Sequence, residues 1–230
     1  MQIPVIQKVL AANDLIAEEL RAQFEKAGLF VVNLLGSPGA GKTSLLERTL
    51  ERARGMKLGV IEGDLATSLD ADRIARFGVP VVQVNTGGAC HLDAAMVRKA
   101  LGSLDVSGLD VLLIENVGNL ICPAQFDLGE ACKVAVCSLP EGDDKVLKYP
   151  AIFSLVSAVV LNKLDLVNHL NFNLPDFRRH LAELNPDAAL MELSCLTGEG
   201  LDRWIEWLGL RARKAREPGG RSQSPAQCRE

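Results

Sequence analysis

An excess of charge of one sign is what this chain lacks. The formal net charge is −4 over 230 residues, so there is no global electrostatic case for binding nucleic acid or an anionic membrane surface. Long apolar runs are missing too; none approaches the roughly 20 residues that a membrane-spanning helix needs. The first stretch, MQIPVIQKVLAANDLIAEEL, has acids where a secretory leader would have a basic start and an apolar core. A cytoplasmic location is therefore the default expectation. The six cysteines include no C-x-x-C pair, which removes the zinc-ribbon and thioredoxin readings, and in a reducing compartment they are expected as thiols. No cysteine precedes Cys90 and no histidine precedes His91.

What is present is an ordinary globular composition, 48% hydrophobic and 23% charged, at a length that suits one large domain. Residues 4–28 place Ile6, Val9, Leu10, Leu15, Ile16, Leu20 and Phe24 at helical spacing, with Gly28 as a stop. LFVVNLL, KLGVIEGD, PVVQVNT, LDVLLIENVG, ACKVAVCSL, VSAVVLNKLDL and AALMELS read as strands. TSLLERTLERA, LDADRIARFG, HLDAAMVRKALGSL, FRRHLAELNP and GEGLDRWIEWLGLRARKA read as helices between them. Such alternation predicts a mainly parallel sheet covered on both faces, a three-layer α/β sandwich. The expected organisation is an N-terminal helix (1–28), one domain (29–216) and a disordered tail (217–230) whose composition is polar and Gly/Pro/Ser-rich. Cys132 and Cys137, in an apolar strand, read as small buried side chains, and Cys228 falls in the tail.

The first strand runs into GSPGAGKTS, residues 36–44. This is the phosphate-loop pattern of P-loop NTPases, G-x-x-x-x-G-K-[ST]. Gly36, Gly39, Ala40 and Gly41 let backbone amides curl around phosphates, and Lys42 reaches the β and γ phosphates. Thr43 presents a hydroxyl to Mg²⁺, and Ser44 continues into a helix whose positive end favours anions. A second element, VVLNKLD, identifies the base. Asp165 at a strand end can accept two N–H bonds from guanine, whereas adenine offers no such donor pair. Asn162 and Lys163 belong to the same element, Lys163 laying its stem along the base. SCLTGEG brings Ser194, Cys195 and Leu196 to the position of a further base-contacting loop. There it resembles the S-A-K element of GTPases, with Leu196 in the usual lysine place.

Asp64, Asp70 and Glu115 are the acidic candidates for Mg²⁺ and for catalysis beside Lys42, with Asp64 and Asp70 holding the ion directly or through water. Glu115 ends a strand in E-N-V-G, where many GTPases have aspartate. Residue 119 is Asn, not the glutamine that orients water elsewhere, so slow intrinsic hydrolysis is expected.

One stretch does not belong to nucleotide chemistry. NTGGACHLDAAM sets Cys90 beside His91 after a glycine pair, at the expected head of a helix, where a thiol pKa should fall. Cys122, just past the Glu115–Gly118 loop, offers a third ligand. Such a set suits Zn²⁺ or Ni²⁺ rather than Mg²⁺ or Ca²⁺. Three ligands leave a tetrahedral set incomplete, or shared across a two-fold dimer. Spacing alone leaves open a helix-capping histidine beside a buried cysteine.

The stretches NLLGSPGAGKTSLLE, EGDLATSLDADRI, NTGGACHLDAAMV, ENVGNLICPAQFDLGE, KYP and NKLDL together resemble the hydrogenase nickel-incorporation GTPases of the HypB type, over about residues 30–200. The resemblance implies a dimerising (SIMIBI-type) GTPase, related to signal-recognition and nitrogenase iron proteins. It implies GTP/GDP, Mg²⁺ and Ni²⁺ or Zn²⁺ as ligands, and a GTP-promoted homodimer. It also implies a small zinc-containing nickel-binding partner of the HypA type and, indirectly, the hydrogenase large subunit. Carried over, Cys90, His91 and Cys122 form a metal site at the dimer interface, while Lys42, Thr43, Asp64, Asp70 and Asp165 serve nucleotide and Mg²⁺. An N-terminal cysteine motif or histidine-rich stretch, present in many members, does not occur in these residues, so no tight N-terminal nickel site is expected.

Four alternatives compete. A urease-maturation GTPase typically shows Cys-Pro-His, whereas Cys90 abuts His91. A GTPase chaperone for a cobalamin mutase would not carry the Cys-His pair with Cys122. A non-catalytic metal sensor would use GTP only to set its dimer state. An ATP-driven partitioning protein would want a lysine where this chain has Ser37, and no Asp165.

Overall fold

The computed structural model describes residues 3–63 and 73–217. Asp64, Asp70 and most of the expected tail therefore lie outside the described residues, as does the first part of the helix expected over LDADRIARFG.

Seven strands form one sheet among the described residues: β1 (Phe30–Leu35), β2 (Leu58–Glu62), β3 (Val81–Gln83), β4 (Val111–Glu115), β5 (Cys132–Ser138), β6 (Ala158–Asn162) and β7 (Ala189–Glu192). Their order is β3-β2-β4-β1-β5-β6-β7, and every pairing is parallel. Parallel neighbours require crossovers, and helices supply them. The main ones are α1 (Ile3–Ala27), α2 (Lys42–Arg52), α3 (Ala94–Leu101), α7 (Leu174–Leu184) and α8 (Leu201–Arg216). Three one-turn helices, α4 (Cys122–Gln125), α5 (Lys145–Lys148) and α6 (Pro150–Phe153), interrupt the loops. Sequence periodicity misses these three, because four residues hold no helical repeat; two of them carry proline in the first turn.

Both sheet faces are buried, so the central strands are continuous apolar runs rather than alternating ones. Alternate residues of β1 part company: Phe30, Val32 and Leu34 pack with Leu45, Leu46, Trp204 and Leu208 of α2 and α8. Val31 packs on the opposite face with Leu20 and Phe24 of α1 and Val97 of α3. Leu35 joins Phe153 and Phe177 in a third cluster. Cys132 and Cys137 are buried as expected, and desolvation pushes the Cys132 thiol up to about 12.

Two features place the loops that matter. α1 carries Asn13, whose side chain donates to the Asp127 carbonyl (2.8 Å) and accepts from the Ala94 amide (2.9 Å). Arg21 of α1 pairs with the Asp127 carboxylate. α3 begins at Ala94 rather than at His91, because Asp93 takes the N-cap position and accepts from the Met96 amide. His91 and Cys90 thus sit in the loop ahead of the cap.

Trp204 is fully buried between α8 and the sheet. Its indole N–H donates to Thr49 Oγ1 at 2.8 Å, and its ring stacks on Trp207. Trp204→Ala is expected to cost about 3–5 kcal/mol, read as a lower urea midpoint with an unchanged slope in equilibrium unfolding.

Candidate functional site

Parallel pairing brings strand C-termini to one edge. Leu34 is in register with Glu115, Glu62 with Glu115, and Ser138 with Asn162. The loops that follow β1, β4 and β6 leave from this edge together.

The Gly36–Ser44 loop turns from β1 into α2. Gly41 takes φ 101° as the N-cap, and a Cβ there would stand 2.2 Å from Asn162 Nδ2, so only glycine fits. Lys42 is buried; its Nζ donates to the Gly36 carbonyl at 3.4 Å and lies 4.0 Å from Glu115 Oε1. Thr43 Oγ1 donates to Glu115 Oε1 at 2.9 Å. The Thr43 hydroxyl and the Glu115 carboxylate at the end of β4 are oxygen donors, and the buried Glu62 ends the neighbouring strand in register with Glu115. That chemistry fits a hard cation such as Mg²⁺.

The base side is tied to the same loop. Asn162 donates to the Ala40 carbonyl (3.1 Å) and accepts from the amides of Lys163 (2.7 Å) and Cys195 (3.0 Å). Lys163 donates from Nζ to the Gly39 carbonyl at 2.7 Å. It is the one non-glycine residue among those described with positive φ, 63°, a conformation that costs energy and that the surrounding bonds hold. Ser194 Oγ donates to Asp165 Oδ1, which aims the carboxylate, and accepts from the amides of Leu196 (3.2 Å) and Thr197 (3.1 Å). Leu196 is 75% exposed. A cavity of about 840 Å³, lined by Gly39, Thr43, Ser44, Lys163, Asp165 and Leu196 among others, runs between the two halves. Its size suits a drug-sized ligand.

The donor atoms of Cys90, His91 and Cys122 all lie within 4.8 Å of one another. Cys90 Sγ stands 3.6 Å from His91 Nδ1, and the His91 ring stacks on Phe126 with centroids 3.8 Å apart. The expected lowering of the Cys90 thiol by a helix terminus does not occur. The hydrogen bond with the Cys122 thiol, then burial, raises it above the ordinary thiol range. The helix end lies beyond Asp93, and its field fades within one turn. Burial holds His91 below the ordinary histidine range, which keeps the ring neutral and able to ligate.

Several residues around the site were invisible to motif reading. Arg48 of α2 donates from Nε to the Cys195 carbonyl at 2.7 Å and from Nη2 to the Leu196 carbonyl at 3.4 Å, so a cation does clasp this loop, from outside. Lys133 donates to the carbonyls of Ala124 (3.1 Å) and Phe126 (3.0 Å), securing the Cys122 segment. Asn33 and Asn116 are fully buried and bonded at 3.1 Å, Asn116 Nδ2 donating to Asn33 Oδ1. One signal existed: an asparagine inside the apolar run FVVNLL demands a buried partner.

The CobW/HypB/UreG nucleotide-binding domain family matches residues 30–192. The hydrogenase maturation factor HypB of Azotobacter vinelandii is 52% identical over 203 residues, covering 88% of this chain and 67% of that protein. The crystal structure of HypB from Helicobacter pylori in complex with nickel superposes with a TM-score of 0.83 at 39% identity, over 90% of this chain and 98% of that one. The signal recognition particle 54 kDa protein of Aeropyrum pernix K1, in complex with GDP, shares the fold alone. It has a TM-score of 0.55 at 16% identity, over 86% of this chain and 54% of that one. The parallel α/β sandwich is thus that of the HypB structure, and the signal recognition particle protein shares the fold, as the phosphate loop and alternating strands lead one to expect of a P-loop protein. By sequence, length of match and superposition, the chain belongs to the HypB hydrogenase maturation factors of the CobW/HypB/UreG family.

Proposed function

We propose that this chain is a GTP-hydrolysing metallochaperone that delivers nickel during maturation of nickel–iron hydrogenase, with nucleotide state controlling the metal site. One observation carries the reading: three donors converge within 4.8 Å on two loops, one of which, residues 116–122, abuts the Gly36–Ser44 loop. The nickel complex of the Helicobacter pylori relative supports nickel as the cargo.

Gly36, Gly39, Ala40, Gly41, Lys42, Thr43 and Ser44 hold the phosphates. Asn162, Lys163, Asp165 and the Ser194–Leu196 turn hold guanine. Thr43 holds Mg²⁺, with Glu115 beside it and Asp64 and Asp70 as further ligands or catalytic acids; bound there, the ion offsets phosphate charge. Nickel is cargo on Cys90, His91 and Cys122, where thiolate and imidazole suit a borderline-soft ion better than the oxygen set does. The fourth position goes to water or to a second copy across a two-fold axis. The Glu115–Gly118 loop, seated against the phosphate loop in the GTP state, favours that dimer and the closed donor set. Hydrolysis loosens both and releases the metal. Turnover is slow because Asn119 is too short to orient water as a glutamine does. A HypA-type zinc protein receives or supplies the nickel, and the hydrogenase large subunit is the eventual destination.

The decisive experiment is nickel affinity of the metal-free protein with GDP and with a non-hydrolysable GTP analogue. Affinity is expected to depend on nucleotide and to be lost in Cys122→Ala. Affinity that ignores both would remove the delivery reading.

Asp165→Asn is expected to lose about one to two orders of magnitude of GDP affinity, since bonds to a charged group contribute roughly 1.5–3 kcal/mol. Xanthosine diphosphate should bind the variant better than GDP does; calorimetric titration checks both.

Acid should weaken nickel binding, because the metal needs thiolate and protons compete. The raised Cys90 thiol means that affinity climbs as pH rises through neutrality, with protons released on binding. The lowered His91 adds its own loss only below the ordinary histidine range. Titrations in buffers of different ionisation enthalpy measure the released protons; a pH-independent affinity would rule out thiolate ligation.

A further inference from the structure

One half-buried residue touches both candidate sites, the phosphate loop through its backbone and the metal segment through its side chain. Asn119 forms an isolated antiparallel bridge with Gly36, the first residue of the phosphate loop. Its Nδ2 donates to the Cys90 carbonyl at 3.4 Å, and its Oδ1 accepts from the Ile121 amide at 2.9 Å. That turn delivers the chain into Cys122. The preceding Gly118 lies so close to the phosphate loop that a Cβ would stand 2.9 Å from Pro38 Cγ. Four residues from Glu115, which Thr43 contacts, the same loop therefore reaches one metal donor's backbone and aims another.

The far side of the loop is fixed. Asn116 Oδ1 accepts from the amides of Leu92 (3.1 Å) and Val117 (3.0 Å). Its Nδ2 is taken by Asn33, whose Nδ2 donates to Glu130 Oε1 at 3.3 Å. Leu92 follows His91, so the metal segment is anchored to β4 at one end, while Asn119 holds the other.

We infer that Asn119 is the positioning residue through which nucleotide state reaches the metal donors. It stands where other GTPases put a water-orienting glutamine, and here its backbone bridges to Gly36 of the phosphate loop while its side-chain amide reaches the Cys90 carbonyl. A loop shift driven at Gly36 or Glu115 moves the Cys90 carbonyl and the turn before Cys122 together. Asn116, at the root of that loop and bonded to the buried Asn33, holds the Leu92 amide meanwhile, so Cys90 and Cys122 shift relative to the backbone that follows His91. The inference rests on the nickel reading above.

The test compares the wild-type protein with Asn119→Ser and Asn119→Asp. Both variants keep an oxygen to cap the Ile121 amide; an aspartate carboxylate has no donor, and the serine hydroxyl, one atom shorter than an amide that reaches the Cys90 carbonyl at 3.4 Å, falls short of it. Ni²⁺ is titrated with GDP and with the GTP analogue, GDP affinity and the thermal transition being followed in parallel. Coupling in the wild type should change nickel affinity by about 5–150-fold between nucleotides. In both variants that ratio is expected to fall to within about twofold of one, with GDP affinity and the thermal transition kept. By reciprocity, nickel should then no longer shift affinity for the analogue. A wild-type ratio retained in either variant overturns the role of Asn119 and leaves nickel delivery standing. A wild type with no nucleotide dependence removes the nucleotide-controlled reading, and this inference with it. Loss of GDP binding in both variants would make Asn119 part of the phosphate loop's fold and overturn the coupling role.

Discussion

Parallel register is the constraint on which the rest of this molecule depends. A strand that pairs in parallel with its neighbour must end on the same edge. Leu34, Glu62 and Glu115 share one level, and Ser138 and Asn162 another. The phosphate loop, the Glu115–Asn119 loop and the Asn162–Asp165 turn therefore open into one crevice outside the carboxyl ends of the sheet, where open α/β folds bind their ligands. No local propensity achieves this; the hydrogen-bond ladder and the two-faced apolar core do.

Burial of polar groups at that edge looks costly, and it is offset by near-complete pairing. Asn33, Asn116 and Glu130 form a chain beneath the Cys90 and Cys122 segments. Desolvation pushes the Glu130 carboxyl up, and Lys133 opposes it. Lys133 also fixes the carbonyls of Ala124 and Phe126. A satisfied network of this kind rigidifies its surroundings. It holds the loops bearing the three soft donors from beneath while their upper surfaces stay open, Cys90 being exposed and Cys122 half-buried.

Strain is concentrated on the nucleotide side. Lys163 is held at φ 63° by its bond to Gly39 and by the Asn162 side chain. Asp165 is aimed by Ser194, and the turn after Ser194 is clasped by Arg48 from α2. Because α2 starts at the phosphate loop, the two halves of the crevice are braced by one helix. The place of a lysine at residue 196 is left to an exposed leucine, and the cation comes from a helix nearly 150 residues earlier in sequence.

The sequence by itself determined the α/β class, the parallel sheet, the phosphate loop and the membership suggested by its motifs, because these rest on short-range patterns: apolar runs, glycine spacing and a strand-to-helix switch. It also singled out Cys90, His91 and Cys122, whose donors the fold does bring within 4.8 Å. Tertiary structure decided what depends on distant partners. Asp93 moved the start of α3 past His91, and Cys122 then set the Cys90 thiol upward where a helix end was expected to lower it. The one-turn helices escaped because they are shorter than a helical repeat. The contacts of Arg48, Asn33, Asn116 and Asn119 escaped because each is made to a group remote in sequence, and those of Lys133 because they go to backbone carbonyls, which carry no sequence signature. Only a folded register places such a partner within a hydrogen bond.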